Sequence, residues 1–270
     1  MSAAAKEVFL EAMRSFHLDG PYEQRFYVEQ MKRRFAEEGE RFMVAVDAVS
    51  AQGQTGPALR RLYERMATNP ELARFVVAHS WSELYRASGV QLLESGLLAN
   101  RTVIDFGCGP GLLMLCLAHA VPSARFVGID RDAIVTAAQR LQLANDPGNV
   151  TFVGEANASD VLATGAIVLL HAVTHELWPK ELAPFAPPSA AVNRRPKSLA
   201  PIASWVGDGG LVVTINRFPY SAQQLPRLDA IFARAKLQPC ATSLGEKVVL
   251  QGYKGSQRES LPVRVYRRTV

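Results

Sequence analysis

The sequence predicts an α/β fold: a mostly parallel sheet of seven strands with an antiparallel closing strand, helices on both faces, and a helical region ahead of the first strand. Three observations carry this. From residue 101 onward, short apolar runs alternate with amphipathic helical stretches, the pattern of a parallel sheet wrapped by crossover helices. A glycine-rich turn separates the first such run from the first such helix. Residues 1–97 show helical periodicity and none of the alternation of a strand.

In chain order, residues 3–16 place Val8, Phe9, Ala12, Met13 and Phe16 at helical spacing, and Asp19-Gly20-Pro21 stops the helix. A second helix is expected over 22–49, with Phe26, Val28, Met31, Phe35, Phe42, Met43 and Val46 as its buried stripe. Gly39 is expected to interrupt or kink it, since glycine costs about 1 kcal/mol relative to alanine inside a helix. A loop over 50–56 leads to helices over 57–66 and 70–98, the latter opening on a proline suited to a first turn. Strands are then expected at 102–106, 125–129, 150–153, 166–170, 211–216, 247–253 and 262–268, with helices at 111–120, 133–143 and 224–235. The short polar loop 254–260 should make the last two strands antiparallel. Pro184, Pro187, Pro188, Pro196 and Pro201 forbid a continuous helix over 183–204, which reads as an irregular insertion with a lid as one role. The expected organisation is a helical lid or dimerisation region, 1–97, and a ligand-binding domain, 98–270.

With 48% apolar and 20% charged residues in 270, the chain has the composition of an ordinary globular protein. Cys108, Cys116 and Cys240 form neither a zinc pattern nor a disulfide framework, so a reducing, cytoplasmic setting is expected. No apolar run approaches the 18 residues of a membrane span, and the first twenty residues carry acids among the apolar ones and lack the long apolar run of a signal peptide, so neither is expected. The net charge of +5 permits an anionic partner without requiring one, and the scattered basic residues, with small clusters at 194–197 and 264–268, read as solvated surface, so a nucleic-acid partner is not expected.

Residues 103–111 read Val-Ile-Asp-Phe-Gly-Cys-Gly-Pro-Gly. Gly107, Gly109 and Gly111 allow a sharp turn and close approach of a ligand, and the following helix offers free N–H groups to an anionic group. A dinucleotide fingerprint would need its third glycine one residue later, where Leu112 stands. Asp105 would repel a pyrophosphate but suits a cofactor bearing an ammonium group. S-adenosylmethionine has that group, plus a carboxylate for the helix end. Asp130 ends the second strand 19 residues past Gly111, where an acid accepts the two hydroxyls of a ribose.

On these residues the chain resembles the class I, Rossmann-like S-adenosylmethionine-dependent methyltransferases of small-molecule type. The stretch from 103 to 177 carries the likeness. The resemblance implies that Asp105, Gly107, Cys108, Gly109 and Gly111 hold the methionine end, with Cys108 as a small buried side chain. It implies that Asp130, with the adjacent Arg131, holds the ribose. Where the family often has an acid near the adenine, this sequence offers Ala156 or Asn157. The usual acid opening the fourth strand is replaced by Ala166.

Residues 171–179 carry two histidines, four apart, in His-Ala-Val-Thr-His-Glu-Leu-Trp-Pro. The stretch is similar to the H-D-W-P segment of small-molecule O-methyltransferases, with one leucine inserted. The likeness makes His175 the candidate general base, with His171 beside it at the transfer and cofactor site; packing is the competing role for His175. The spacing does not match H-E-x-x-H, because Pro179 stands four beyond His175, so no metal is expected. The absence of an N/D-P-P-Y/F tetrapeptide argues against methylation of base amines or protein amides. Tyr85, Arg86, Trp178 and Arg217, with Phe218, are the substrate-side candidates. The expected activity is methyl transfer to a small-molecule acceptor, oxygen first, then nitrogen or carbon. An RNA or protein methyltransferase and a non-catalytic scaffold compete with it, and a homodimer through the N-terminal helices is expected.

Overall fold

A computed structural model describes residues 3–52, 56–161, 163–178, 199–216, 224–250 and 259–269. The first part is helical: α1 (Ala3–Ser15), α2 (Gln24–Gln52), α3 (Gly56–Thr68), α4 (Pro70–Ser80) and α5 (Ser82–Ser95). Two details differ from the sequence expectation. The break in α2 falls at Ala36, with φ 45° and ψ −126°, rather than at Gly39. Gly39 serves the break from a distance: a Cβ there would lie 2.5 Å from the Met31 carbonyl oxygen. The stretch 70–98 is two helices, parted at Trp81, where ψ of −12° and φ of −130° leave the helical region. Asn69 caps α4 by accepting from the Leu72 amide at 3.1 Å, and Gly96, at φ 71°, ends α5 in the left-handed conformation glycine adopts freely.

The second part is a sheet of eight strands, one more than expected: β1 (Thr102–Phe106), β2 (Arg125–Asp130), β3 (Val150–Gly154), β4 (Ile167–His171), β5 (Leu211–Ile215), β6 (Leu237–Pro239), β7 (Lys247–Leu250) and β8 (Glu259–Arg268). Its order is β3-β2-β1-β4-β5-β8-β6, with β7 pairing the first half of β8. The first five strands are parallel, and β8 runs antiparallel to β5, β6 and β7. The extra strand is β6, three residues long and ending in a proline. Between the strands lie α6 (Leu112–Ala120), α7 (Asp132–Ala144), a 3₁₀ turn (Glu155–Asp160), α8 (Thr174–Leu177), α9 (Ala200–Val206) and α10 (Gln224–Ala233). Helix α9 occupies the end of the proline-rich stretch read as irregular, with Pro201 in its first turn, where a missing N–H costs nothing. The rest of that stretch, 183–198, lies outside the described residues.

Strand alternation sorts side chains to two faces. Val103, Phe126, Ile167, Leu169 and Val213 join one apolar cluster with α1, α4, α5, α6 and α7, while Ile104, Val127, Val168, Leu170 and Val212 join another with α9 and α10. Helix α6 buries every residue but His119, so it is a core helix covered in turn by α1 and α5. Phe9 of α1 is fully buried, its ring set against Gly89 of α5, where a Cβ would come within 2.1 Å. The N-terminal helices therefore share one core with the sheet. Among the described residues no helix is long and apolar enough to cross a membrane.

Candidate cofactor and active site

The strand order reverses between β1 and β4, which opens a crevice at their C-terminal ends, the usual ligand position in such sheets. A cavity occupies it. Its floor is the turn 105–110 together with Ile129, Asp130 and Arg131; one wall is His171, Ala172 and Val173; its roof is Tyr63, Met66, Val77 and Tyr85 from α3, α4 and α5, with Trp81 at the α4–α5 junction.

The glycine turn is held by the Gly107 and Cys108 amides, which donate to the Ile129 carbonyl at 2.7 and 3.1 Å. Gly107, Gly109 and Gly111 have φ of 86°, 56° and 73°. A Cβ would strike Val173 at Gly107 and the Phe152 ring at Gly111, so these two pack the turn against its neighbours. At Gly109 it would meet nothing within 4 Å, so this backbone faces open space. The Gly109 amide donates to Asp130 Oδ2 at 2.8 Å and the Arg131 amide to Oδ1 at 2.7 Å, tying the acid of β2 to the turn after β1. The Arg131 guanidinium lies over the Tyr63 ring, 5.1 Å from its centre, and joins floor to roof.

Asp105 shares a face with Val103 and is 2% exposed. Its Oδ1 has no hydrogen-bond partner. Burial, with the charge of Asp130 adding to it, pushes its carboxyl up to about 8. Burial, then Asp130 and Asp105, raises the Cys108 thiol well above its ordinary range, so this cysteine is a packed side chain and not a nucleophile. The Tyr85 hydroxyl is raised by burial first and then by Asp105.

His171 ends β4 on the same face as Leu169, 9% exposed, its ring 5.5 Å from that of Tyr85. Burial pushes its imidazole down to about 4, which keeps it neutral at physiological pH. Its Nε2 lies 3.0 Å from Ser88 Oγ of α5. The next residue, Ala172, turns with φ 57°, a left-handed conformation uncommon for alanine, and its amide donates to the Ile215 carbonyl at 2.6 Å.

Of the residues singled out from sequence, Asp105, Gly107, Cys108, Gly109, Asp130, Arg131, His171 and Tyr85 line one cavity. Gly111 stands at the head of α6 just behind it. Others lie elsewhere. Arg86, the next residue along α5 from Tyr85, is not part of the lining. Trp178 is 2% exposed and packs edge-on against Phe232 in the cluster beneath the opposite face. Ala156 and Asn157 are exposed on the 3₁₀ turn, and Asn157 faces a separate groove with Thr151 and Val153. The acid that reaches the cavity after β3 is Glu155, one residue earlier than expected. Its signal was in the sequence, as the acid following Gly154. Ser88, also missed, had no local signal. His175 lies in α8, but its side chain, like Arg217 and Phe218, lies outside what is described. Among the described residues no group of three or more His, Cys, Asp or Glu is placed to hold a metal ion.

Residues 77–169, from α4 through the glycine turn to β4, match the family model described as a methyltransferase small domain. No curated protein matches the sequence. The chain has the fold of the class I methyltransferases. It is similar to the mitomycin 7-O-methyltransferase structure, at 15% identity and a TM-score of 0.51, over 86% of this chain and 67% of that one. It is also similar to an O-methyltransferase from neocarzinostatin biosynthesis, solved with S-adenosyl-L-homocysteine and 1,4-dihydroxy-2-naphthoic acid, at 20% identity and a TM-score of 0.53, over 86% and 70%. A second structure of that enzyme, with S-adenosylmethionine and 2-hydroxy-5-methyl naphthoic acid, gives 19% identity and a TM-score of 0.50, over 88% and 73%.

Proposed function

We propose that the protein transfers a methyl group from S-adenosylmethionine to a small-molecule acceptor, with oxygen as the first candidate for the accepting atom. The observation that carries the cofactor is the buried, unpartnered Oδ1 of Asp105 at the floor of a glycine-turned cavity. A lone buried carboxylate oxygen is costly, and an ammonium group would satisfy it with a charge-assisted hydrogen bond. In this reading Asp105 takes the ammonium group and the head of α6 the carboxylate. Asp130 takes the ribose hydroxyls, and Glu155 fills the adenine-side place first assigned to Ala156 or Asn157. The bound cofactor supplies a methyl on a positively charged sulfur, an already activated donor.

What remains for the protein is position and, for a hydroxyl acceptor, a place for the proton. The roof helices exclude water from above. A neutral His171 adds no positive charge beside a cationic cofactor. His175 is the base we assign, on the strength of the H-E-L-W-P stretch. The neocarzinostatin and mitomycin enzymes favour a hydroxyl on an aromatic acceptor. We also place a homodimer contact on α2, where Phe26 and Val44 are exposed; sedimentation at micromolar concentration would show a dimer if it is right and a monomer if it is wrong.

Calorimetric titration with S-adenosylhomocysteine tests the central reading. The wild type should bind at a single site, and Asp130→Ala, which loses both the ribose acceptor and the tie to the Gly109 amide, should lose binding. Absence of binding to the wild type would favour a non-catalytic scaffold. With a hydroxylated acceptor in hand, His175→Ala should remove the rise of turnover with pH; an unchanged profile would take the base role from it.

A further inference from the structure

Ser88 sits in the middle of α5, fully buried, with no charged or ligating pattern around it in the sequence. Its hydroxyl has one proton, and that proton goes to the Leu84 carbonyl at 2.6 Å, an oxygen that can only accept. The hydroxyl oxygen is then an acceptor for its other neighbour, His171 Nε2 at 3.0 Å. Hydrogen-bond accounting therefore puts the imidazole proton on Nε2 and leaves Nδ1 with a lone pair. The ring borders the cavity at the end of β4, between Tyr85 on the roof and Val173 on the wall.

We propose that Ser88 is a positioning residue of this site, holding His171 as the tautomer protonated on Nε2 so that Nδ1 accepts a hydrogen bond from the group that receives the methyl. The inference rests on the methyl-transfer reading for its purpose, but the tautomer itself follows from the Leu84–Ser88–His171 chain alone. Burial keeps the imidazole neutral, so His171 orients an incoming hydroxyl or amine and does not take its proton. Helix α5 thereby reaches into the chemistry through a strand: a shift of the roof by one hydroxyl's width would release the ring.

Nitrogen-15 NMR on protein labelled at histidine tests this, with the His171 signals assigned by their loss in His171→Asn. The wild type should show a single Nε2-protonated tautomer, unchanged from pH 5.5 to 8.5. Ser88→Ala should lose that single form and show both tautomers, while Ser88→Thr, which keeps the hydroxyl, should restore it. A wild-type ring protonated on Nδ1, a ring that becomes imidazolium within that range, or a Ser88→Ala spectrum identical to wild type would each overturn the proposal. The wild-type spectrum decides the tautomer even if a variant does not fold. S-adenosylhomocysteine titrated into the same wild-type sample separates the two readings: no binding sinks the methyl-transfer reading and leaves the tautomer as measured.

Discussion

Asp105 is where the requirements of folding and of the proposed cofactor binding oppose each other within one side chain. An ordinary aspartate has its pKa at 3.8, and burial beside Asp130 raises this one to about 8. Between those values the folded protein binds a proton that the unfolded chain does not. Stability therefore falls as pH rises from about 4 to about 8, and the full cost is present above 8. Asp105→Asn removes the titration. We expect the variant to melt higher than wild type at pH 8, with the advantage shrinking toward pH 4. In a chain of this size each kcal/mol is worth about 2 °C. The same variant should lose roughly 100-fold in affinity for S-adenosylhomocysteine, the worth of a charged hydrogen bond of about 3 kcal/mol. Melting curves across pH and a titration at pH 8 check both; a variant that is neither more stable nor weaker in binding would show that Asp105 carries no buried charge to be met.

At the scale of the element, the bend in α2 makes the sharpest case. Ala36 is exposed and has φ 45° and ψ −126°, a sparsely populated conformation that costs an alanine about 1–3 kcal/mol and a glycine almost nothing. Ala36→Gly should raise stability by about 0.5–1 kcal/mol. Gly39→Ala should lower it by about 1–3 kcal/mol, since its Cβ would press on the Met31 carbonyl. Chemical denaturation of the pair measures both signs; a destabilising Ala36→Gly would mean that the helix is continuous. Sequence reading put the bend at Gly39 because glycine is the local signal and alanine is the best helix former. The bend falls three residues before that glycine, at an exposed alanine that carries no signal for it. Trp81 parts α4 from α5 in the same silent way, and three-residue β6 is too short for a period to register. The floor of the cavity was legible because Asp105, Gly107, Gly109 and Asp130 belong to one strand-turn-helix-strand unit, contiguous enough to be read from local sequence. Ser88 and His171 are 83 residues apart, and only the packing of α5 on β4 joins them.

For the whole molecule, the question is whether residues 1–97 form a separate lid or part of one folding unit. Phe9 and Met13 of α1, with Phe16 just after it, lie in the same buried cluster as Val103, Leu113 and Leu169 of the sheet and its first crossover. Roof and floor of the cavity come from the two halves and are joined by Arg131 over Tyr63. A core shared in this way unfolds as one, because neither half can keep its apolar surface covered alone. Phe9→Ala empties a fully buried ring site against Gly89, so the expected cost is about 3–5 kcal/mol. That cost should appear as a shift of a single transition, with helix signal by circular dichroism and tryptophan fluorescence moving together, although Phe9 is far along the chain from Trp205 under the opposite face. S-adenosylhomocysteine at about 100 times its dissociation constant should return about 2.7 kcal/mol of that loss, again in one step, since the cavity proposed to bind it is lined by both halves. Two separated transitions, or a Phe9→Ala variant in which only the helical signal melts early, would instead describe a lid hinged on an independent sheet.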